Sequence, residues 1–518
     1  MATATGETSL IRFPLFLTLM TLFLQPCLSS VSQSKTSHEF SIKEATVQDL
    51  QLAFERNQLT SRQLVEFYLG EIRRLNPLLK GVIEVNPDAL FLADEADKER
   101  KAKAPGSLGG LHGIPILIKD NIATKDKMNN TAGSLALLGS VVPRDAGVVA
   151  KLRKAGAIIL GKASLSEWAH FRDSGAPSGW CARSGQGKNP YNLSADPCGS
   201  SSGSAISVAA NMAAVSLGTE TDGSILCPSN SNAVVGIRPT LGLTSRAGVI
   251  PITPRQDTVG PMCRTVADAV YVLDAIAGLD YDDKETIIAS KYIPRGGYKQ
   301  FLKPNGLKGK RLGLLKNFYF SFDNGDFDHL FSALRQGGAV LVEISDASKF
   351  FSVYSSKENY EGIAMTAEFK LALNSYLKDL VVSPVRSLKD VIAFNNKFSK
   401  LEKIKEYGQQ LLLDAEATNG IGKKEKEALI NLAKMSRDGF EKLMKDNKLD
   451  ALLLLKSDSF ILARGGYPGI IVPAGYDSEG VPFGLCFGGL KGSEPTLIEI
   501  AYAFEQATKI RKPPSFKH

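Results

Sequence analysis

Two serines and a lysine stand in contexts that favour covalent chemistry. Lys119 follows the apolar run 114–118, which is long enough for a buried strand. Ser200 lies in a Gly/Ser-rich stretch at 199–204, and Ser224 ends a turn of small and polar residues at 218–224. Burial among apolar neighbours lowers the pKa of a lysine, because desolvation disfavours the ammonium form. A neutral lysine can accept a proton from a serine, as in Ser-Lys variants of the catalytic triad. The order of these residues predicts a serine hydrolase.

The Gly/Ser stretch also permits other interpretations. Residues 199–203 read Gly-Ser-Ser-Ser-Gly, which matches the GxSxG nucleophile elbow of α/β-hydrolases with Ser201 as the nucleophile. An elbow follows a hydrophobic strand, whereas residues 194–198 are polar and contain Pro197. Taken alone, the stretch is also compatible with a flexible turn or a phosphate-binding nest. The context favours Ser224 over Ser201 as the nucleophile.

Several other classes of protein are disfavoured by what the sequence lacks. It contains no HExxH, P-loop or strand–GxGxxG–helix pattern, and no CxxC pair. Its five histidines are isolated, and we interpret them as structural or surface residues. We therefore expect no metal and no organic cofactor. The net charge of +8 over 518 residues is modest and forms no long basic stripe, so we expect no nucleic-acid partner.

Short apolar segments alternate with amphipathic ones along most of the chain, which is typical of an α/β protein. Thr46 with Asp49, and Thr60 with Gln63, have the spacing of helix capping boxes. The segment 358–447 differs, because it is rich in Lys and Glu and sparse in Gly and Pro. We interpret it as a helical insertion within one continuous domain.

The N-terminal segment resembles a secretory signal peptide. Arg12 precedes an apolar run at 13–24, and small polar residues follow at 29–32. We expect a leader over residues 1–30 and a location in the secretory pathway or outside the cell. The alternatives are an uncleaved membrane anchor and a Ser-rich transit peptide for an organelle such as a plastid. Membrane association is expected only if the segment is uncleaved.

A secretory location would make two glycosylation sequons and the cysteines relevant. The sequons begin at Asn129 and Asn192. Because Asn192 is close in sequence to the Gly/Ser stretch, we expect modification at Asn129 rather than at Asn192. Cys27 would be removed with the leader, and five cysteines would remain. We expect most of these to be buried thiols, with at most one or two disulfides.

Taken together, these segments resemble the amidase signature family. Its Gly/Ser hallmark is present as Cys-Gly-Ser-Ser-Ser-Gly-Ser at 198–204, where Cys198 stands at a position that is glycine in the hallmark. The lysine motif is Gly-Ile-Pro-Ile-Leu-Ile-Lys-Asp at 113–120, and the nucleophile segment is Gly-Thr-Glu-Thr-Asp-Gly-Ser-Ile at 218–225. Supporting matches lie at 155–162, 189–192, 260–262, 473–475 and 505–508.

The resemblance covers residues 41–512, which we take as the amidase domain. It implies a single α/β domain with a mixed β-sheet core flanked by helices, the insertion at 358–447 covering the substrate entrance. It further implies a Ser-cisSer-Lys triad of Ser224, Ser200 and Lys119, with a cis peptide between Gly199 and Ser200. The backbone N–H groups of an oxyanion hole would come from Thr221, Asp222, Gly223 and Ser224. The implied reaction is amide hydrolysis through an acyl-enzyme on Ser224.

Three departures from the usual family pattern lie in and directly after the nucleophile segment. Glu220 stands in place of Asp, Asp222 in place of Gly, and Leu226 in place of Arg. Loss of that arginine puts the local salt-bridge network in doubt. The variant most resembles the peptide amidase branch, which deamidates peptide C-termini and has relatives in plants and fungi.

The expected partner is therefore a small-molecule or peptide amide, and the oligomeric state stays open. One alternative is an amidotransferase component of the glutamyl-tRNA type, which the leader disfavours. The other is a catalytically silent receptor or scaffold, which would have lost the triad residues and gained helical repeats.

Overall fold

The computed structural model of the chain describes residues 40–103, 108–315, 327–345, 347–356, 358–454 and 459–516. The expected leader at 1–30 lies outside these ranges. Within them, no helix combines the length and the apolar character needed to cross a membrane. The strands in the described ranges are β1 Val82–Val85, β2 Pro115–Lys119, β3 Ile158–Ala163, β4 Trp180–Cys181, β5 Gly185–Gln186, β6 Val215–Glu220, β7 Val235–Arg238, β8 Thr258–Cys263, β9 Arg311–Leu315, β10 Val340–Ile344, β11 Ala451–Leu454, β12 Gly469–Tyr476 and β13 Pro482–Gly488.

Eleven of these strands form one mixed sheet in the order β1-β3-β2-β6-β8-β7-β12-β13-β11-β9-β10. Strand β2 is parallel to both of its neighbours, β3 and β6, and β9 is parallel to β10 and β11. The other pairs in the sheet are antiparallel. Strands β4 and β5 form a separate two-stranded antiparallel pair. The prediction of a mixed sheet in one large α/β domain is confirmed.

Helices accompany the sheet along the whole described chain. Their bounds are α1 Val47–Glu55, α2 Ser61–Leu79, α3 Ala89–Ala102, α4 Gly147–Lys154, α5 Ser202–Ala209, α6 Leu226–Ser231, α7 Val266–Ile276, α8 Glu285–Ala289, α9 Asp328–Gln336, α10 Ala347–Ser352, α11 Tyr360–Asp379, α12 Leu388–Lys397, α13 Ile404–Tyr407, α14 Gln410–Glu416, α15 Lys423–Ser436, α16 Lys442–Asp446, α17 Ser459–Gly465 and α18 Glu494–Thr508.

Local sequence signals explain where several of these elements begin. Both expected capping boxes are present, at Thr46 for α1 and at Thr60 for α2, and each threonine accepts a hydrogen bond from the third helical N–H. Strand β2 is buried over its whole length. A parallel strand that is covered on both faces favours a continuous apolar run, and this is the pattern of residues 115–118.

Six helices, α11 to α16, occupy the Lys- and Glu-rich segment 358–447. A buried ion pair connects this segment to the preceding part of the chain. The Arg172 guanidinium contacts Glu402 of the segment at 3.2 Å and Glu167 at 2.8 Å, and all three side chains are almost fully buried. Burial, together with the proximity of the two carboxyls, raises the pKa of Glu167.

Candidate active site

Two parallel neighbouring strands place the candidate residues at one edge of the sheet. Lys119 is the last residue of β2, and Thr219 lies near the end of β6, which pairs with β2 in parallel. The turn that carries Ser224 follows β6 directly. Since the carboxyl ends of parallel neighbours meet at the same edge, the lysine and this turn are brought together.

The ammonium nitrogen of Lys119 lies among hydroxyl groups. Its Nζ is 2.8 Å from Ser200 Oγ, 2.9 Å from Ser201 Oγ and 2.9 Å from Thr219 Oγ1, and it is 3.1 Å from the Thr219 carbonyl oxygen. Lys119 is fully buried. This burial holds the lysine pKa well below its ordinary value, although the more distant carboxylates of Glu220 and Asp257 act in the opposite direction.

The surrounding hydrogen bonds indicate which hydroxyl can give Lys119 a proton. Ser201 Oγ donates to the Thr219 carbonyl at 3.0 Å, so its own proton is already engaged. Thr219 Oγ1 accepts from both Lys119 and Asn121. Ser200 Oγ has no partner other than Lys119 Nζ in the described part of the chain. A neutral Lys119 amine can therefore donate to Ser201 and Thr219 and accept the proton of Ser200.

The peptide bond between Gly199 and Ser200 is cis, as the family resemblance implied. The Ser200 carbonyl accepts a hydrogen bond from the Ser166 N–H at 3.0 Å. Helix α5 starts two residues later and is packed very closely. A Cβ at Gly203 would lie 2.4 Å from the carbonyl oxygens of Gly81 and Ser164, so only glycine fits there.

Ser224 is the accessible member of the group. It is 8% exposed, whereas Lys119 and Ser200 are 0% exposed. Its carbonyl accepts the Ser201 N–H at 3.1 Å, which holds the turn against the Gly/Ser stretch. The Ser224 hydroxyl forms no hydrogen bond with any other described residue. This position suits a nucleophile, because catalytic hydrogen bonds often close only when substrate is bound.

The backbone of the turn at 221–224 is free to bind an oxyanion. None of these four N–H groups donates to an atom in the described ranges. The next two N–H groups, of Ile225 and Leu226, both donate to the Glu220 carboxylate, at 2.6 and 2.9 Å. Glu220 thus fixes the end of the turn and leaves the four preceding N–H groups available.

Arg238 restores the ion pair that the sequence departures put in doubt. Leu226 occupies the position of the family arginine, but Arg238 of β7 contacts the Glu220 carboxylate at 3.2 Å. Both side chains are almost fully buried. Arg238 also donates to the carbonyls of Thr221 and Gln256, at 3.3 and 2.9 Å. Sequence reasoning missed this residue, since no local pattern connects it with Glu220.

Two further contacts hold the side chains of the turn. Thr221 Oγ1 donates to Asp257 at 2.6 Å, and Asp222 accepts from Ser459 Oγ at 2.8 Å. Burial raises the pKa of the Asp257 carboxyl to about 6. The loop that carries Asp257 also meets the helical segment, because Glu361 of α11 pairs with Arg255 at 2.6 Å. Helix α11 therefore lies beside the candidate site.

A disulfide joins the two serine-bearing segments. Cys198 is bonded to Cys227, and Cys181 and Cys263 are buried free thiols. This distribution agrees with the expectation of at most one or two disulfides. The particular pair was not predicted.

The neighbouring polar residues are engaged elsewhere. Asp120 faces Thr131 and Arg183 rather than Lys119, as strand alternation predicts. Lys162 is also fully buried, and it donates to the Ile122 carbonyl at 2.6 Å. Desolvation lowers the pKa of Lys162 to about 8.

The alternative in which Ser201 is the nucleophile of an elbow does not fit the geometry. Ser201 is fully buried, and the residues directly before it form no strand. Its hydroxyl is used by Lys119 and Thr219.

The two sequons differ in how their amides are used. Asn129 Nδ2 donates to the Glu84 carboxylate at 3.2 Å, and Asn129 Oδ1 accepts from the Gly139 N–H. Asn192 Oδ1 accepts from Ser194, but its Nδ2 has no acceptor among the described residues. Both asparagines are half-buried. The geometry thus favours Asn192, which is the reverse of the order expected from the sequence, because the Asn129 amide is held within the fold.

Comparison with known proteins agrees with this site. A family model described as Amidase matches residues 63–498. The chain belongs to the amidase family, and it is a hydrolase that acts on the carbon–nitrogen bonds of amides.

Similar proteins are known from plants and bacteria. An Arabidopsis thaliana protein named Probable amidase At4g34880 is 60% identical over 488 residues, covering 94% of each chain. The native peptide amidase of Stenotrophomonas maltophilia superposes with a TM-score of 0.85 at 44% identity, covering 92% of this chain and 99% of that one. A structure of the peptide amidase PAM with the competitive inhibitor chymostatin has a TM-score of 0.85 at 43% identity, covering 92% and 100%.

The alternative of an amidotransferase component corresponds to more distant relatives. A glutamyl-tRNA(Gln) amidotransferase protein from Microcystis aeruginosa is 30% identical over 497 residues, covering 91% of this chain and 99% of that protein. The chain therefore stands nearer to the amidases than to the amidotransferases.

Proposed function

We propose that this amidase hydrolyses C-terminal amides of peptides, with Ser224 as nucleophile, Ser200 as proton relay and Lys119 as base. The observation that carries the proposal is the environment of Lys119. Its Nζ lies 2.8 Å from Ser200 Oγ, is fully buried and contacts hydroxyls rather than carboxylates. Burial disfavours the ammonium form of such a lysine and lowers its pKa, which allows the amine to act as a base.

In the proposed reaction, Ser224 Oγ attacks the carboxamide carbon while its proton passes through Ser200 to Lys119 Nζ. The negative charge on the carbonyl oxygen is stabilised by N–H groups of the turn at 221–224. Breakdown of the tetrahedral intermediate returns the proton to the leaving nitrogen and releases ammonia. Water then attacks the acyl-enzyme by the same relay and releases the carboxylic acid.

The choice of a peptide amide is supported by the similarity to the peptide amidases, which covers 92% of this chain. The test is ammonia release from a panel of peptide amides, fatty amides and aryl acetamides. We expect the peptide amides to have the highest kcat/KM. A clear preference for fatty or aryl amides would refute this substrate class while leaving the nucleophile in place.

The nucleophile is tested separately with a fluorophosphonate probe and peptide mapping. Wild type should be labelled at Ser224, and Ser224→Ala should lose both labelling and turnover while keeping its thermal unfolding transition. Labelling at Ser201 would contradict the assignment.

We also propose that the protein enters the secretory pathway, is processed near residue 30 and carries a glycan. Support comes from the apolar segment at 13–24 and from the Cys198–Cys227 disulfide, because disulfides persist in oxidising compartments. After expression in a eukaryotic secretory host, N-terminal sequencing should give a start near residue 31. N-glycosidase should reduce the mass of wild type and of Asn129→Gln, but not of Asn192→Gln. An unprocessed protein in the cytosol, or import into a plastid, would contradict the proposal.

A further inference from the structure

We infer that the Cys198–Cys227 disulfide is a positioning element for the candidate relay and nucleophile, so that turnover depends on its oxidised state. The inference rests on the proposed function, because it assigns roles to Ser200 and Ser224. It adds a covalent link between the two segments that carry those serines.

The disulfide lies immediately beside both serines. Cys198 is two residues before Ser200, and Cys227 is three residues after Ser224. The Cys227 N–H donates to the Gly223 carbonyl at 2.7 Å, which places the bond at the base of the turn. A single backbone hydrogen bond from Ser201 to the Ser224 carbonyl joins the same two segments. The S–S bond joins the same two segments covalently.

The backbone at Cys198 gives an independent reason to assign it a role. Cys198 has φ +55°, in the left-handed region that favours glycine. The family hallmark has glycine at this position, and glycine adopts the conformation without steric cost. A cysteine in this conformation is less favourable than glycine, and the cross-link to Cys227 is the interaction that only a cysteine can provide at this position.

A noncovalent contact reinforces the same junction. The buried Asn232 amide donates to the carbonyls of both Pro197 and Pro228, at 2.8 and 2.7 Å. These prolines directly adjoin the two half-cystines. A reductant can break the disulfide, but it leaves the two hydrogen bonds of the Asn232 amide intact. The reduced protein should therefore keep its fold.

The geometry of the serines explains why loosening this junction should affect catalysis. Ser224 and Ser200 must exchange a proton across the junction, and displacements near 1 Å can lower turnover by about 100-fold. Lys119 and Thr219 lie on strands β2 and β6 and do not depend on the disulfide. We therefore expect kcat to fall by about 10-fold or more, with KM changed by less than about 3-fold.

The experiment compares oxidised wild type, wild type treated with dithiothreitol, and the Cys198→Ser/Cys227→Ser variant. The dithiol supplies two electrons and two protons and closes to its own cyclic disulfide, so that both cysteines become thiols. Both half-cystines are partly exposed, whereas Cys181 and Cys263 are buried free thiols. Cys181→Ser is the matched control, since it removes a buried thiol that lies outside the junction.

The readouts are kcat and KM on a peptide amide, the rate of fluorophosphonate labelling, and thermal unfolding. Reduced wild type and the double variant should both lose activity and labelling rate, and reoxidation should restore only wild type. Cys181→Ser should behave as wild type and should respond to the dithiol in the same way.

Equal labelling rates in the oxidised and reduced states would overturn the inference. So would loss of the cooperative unfolding transition on reduction, since the bond would then be required for the fold as a whole. If the double variant does not fold, reduced wild type decides. Absence of labelling in both states would refute the proposed function, and the inference with it.

Discussion

Replacing Lys119 by Met removes the candidate base while keeping a side chain of similar length. The change leaves Ser200 without its proton acceptor, and it removes the donor that lies 2.9 Å from both Ser201 Oγ and Thr219 Oγ1. A positioned general base contributes roughly 100- to 10,000-fold to turnover. This range corresponds to about 3–5 kcal/mol of transition-state stabilisation. We expect Lys119→Met to lower kcat by a factor within the same range.

The pH profile identifies the base more directly than the loss of turnover does. In wild type, kcat/KM should rise with pH as Lys119 loses its proton. Burial lowers the pKa of Lys119, so the midpoint of this rise should lie well below 10.5. Lys119→Met should lack the rising limb in its residual activity. A rising limb that survives the substitution would show that another group is the base.

Lys162→Met is the matched control, because Lys162 is equally buried near the end of the neighbouring strand β3 but makes no contact with the serines. The turnover of Lys162→Met should stay within a few-fold of wild type.

The lowered pKa of Lys162, about 8, predicts an effect on stability instead. Between pH 8 and 10.5 the unfolded chain binds a proton that the folded chain does not, so stability rises with pH by up to about 3 kcal/mol. Lys162→Met should flatten this rise in urea denaturation, and an unchanged slope would contradict the assignment.

Two further substitutions test the surroundings of the site. Ser201→Ala should lower kcat by about 10-fold without abolishing labelling of Ser224, because it removes one of the hydroxyls that orient Lys119; complete loss of labelling would favour Ser201 as the nucleophile. Glu402→Gln tests the buried pair of carboxyls around Arg172. Burial raises the pKa of Glu402 above 4.5, so wild type should lose stability as the pH rises above that value, and thermal unfolding of the variant should show a smaller loss. An identical pH dependence in both proteins would show that Glu402 does not titrate in this range.

The sequence predicts those features of the site that depend on local signals. An apolar run followed by a lysine marks the end of a buried strand, and a threonine three residues before a Gln or Asp marks the start of a helix. The Gly/Ser hallmark carries the position of Ser200 and, through the family resemblance, the cis peptide before it. Each of these signals lies close in sequence to the feature that it predicts.

Contacts between distant segments could not be predicted in this way. Arg238 of β7 contacts Glu220 of β6 because both strands pair with β8, one on each side of it. The alternation of apolar residues in the sequence does not indicate this strand order. The pairing of Cys198 with Cys227 could not be predicted either, since several pairings of five cysteines are equally compatible with the sequence. The engagement of the Asn129 amide by the distant Glu84 is another contact of this kind, and which sequon is modified stays a prediction.

The sheet order has a consequence for how such enzymes can diversify. Strands from before residue 264 occupy one side of the sheet, and those from after residue 310 occupy the other. Among the strands of the described ranges, the two sets pair with each other only where β7 meets β12. A single recombination crossover between these points would transmit Lys119, Ser200 and Ser224 from one parent and helices α11 to α16 from the other. The candidate catalytic residues and the helical segment that lies beside them can thus be inherited as separate blocks. Hybrids between related genes need a compatible β7–β12 seam, and they must also keep the Arg172–Glu402 and Arg255–Glu361 ion pairs that cross between the two parts of the chain.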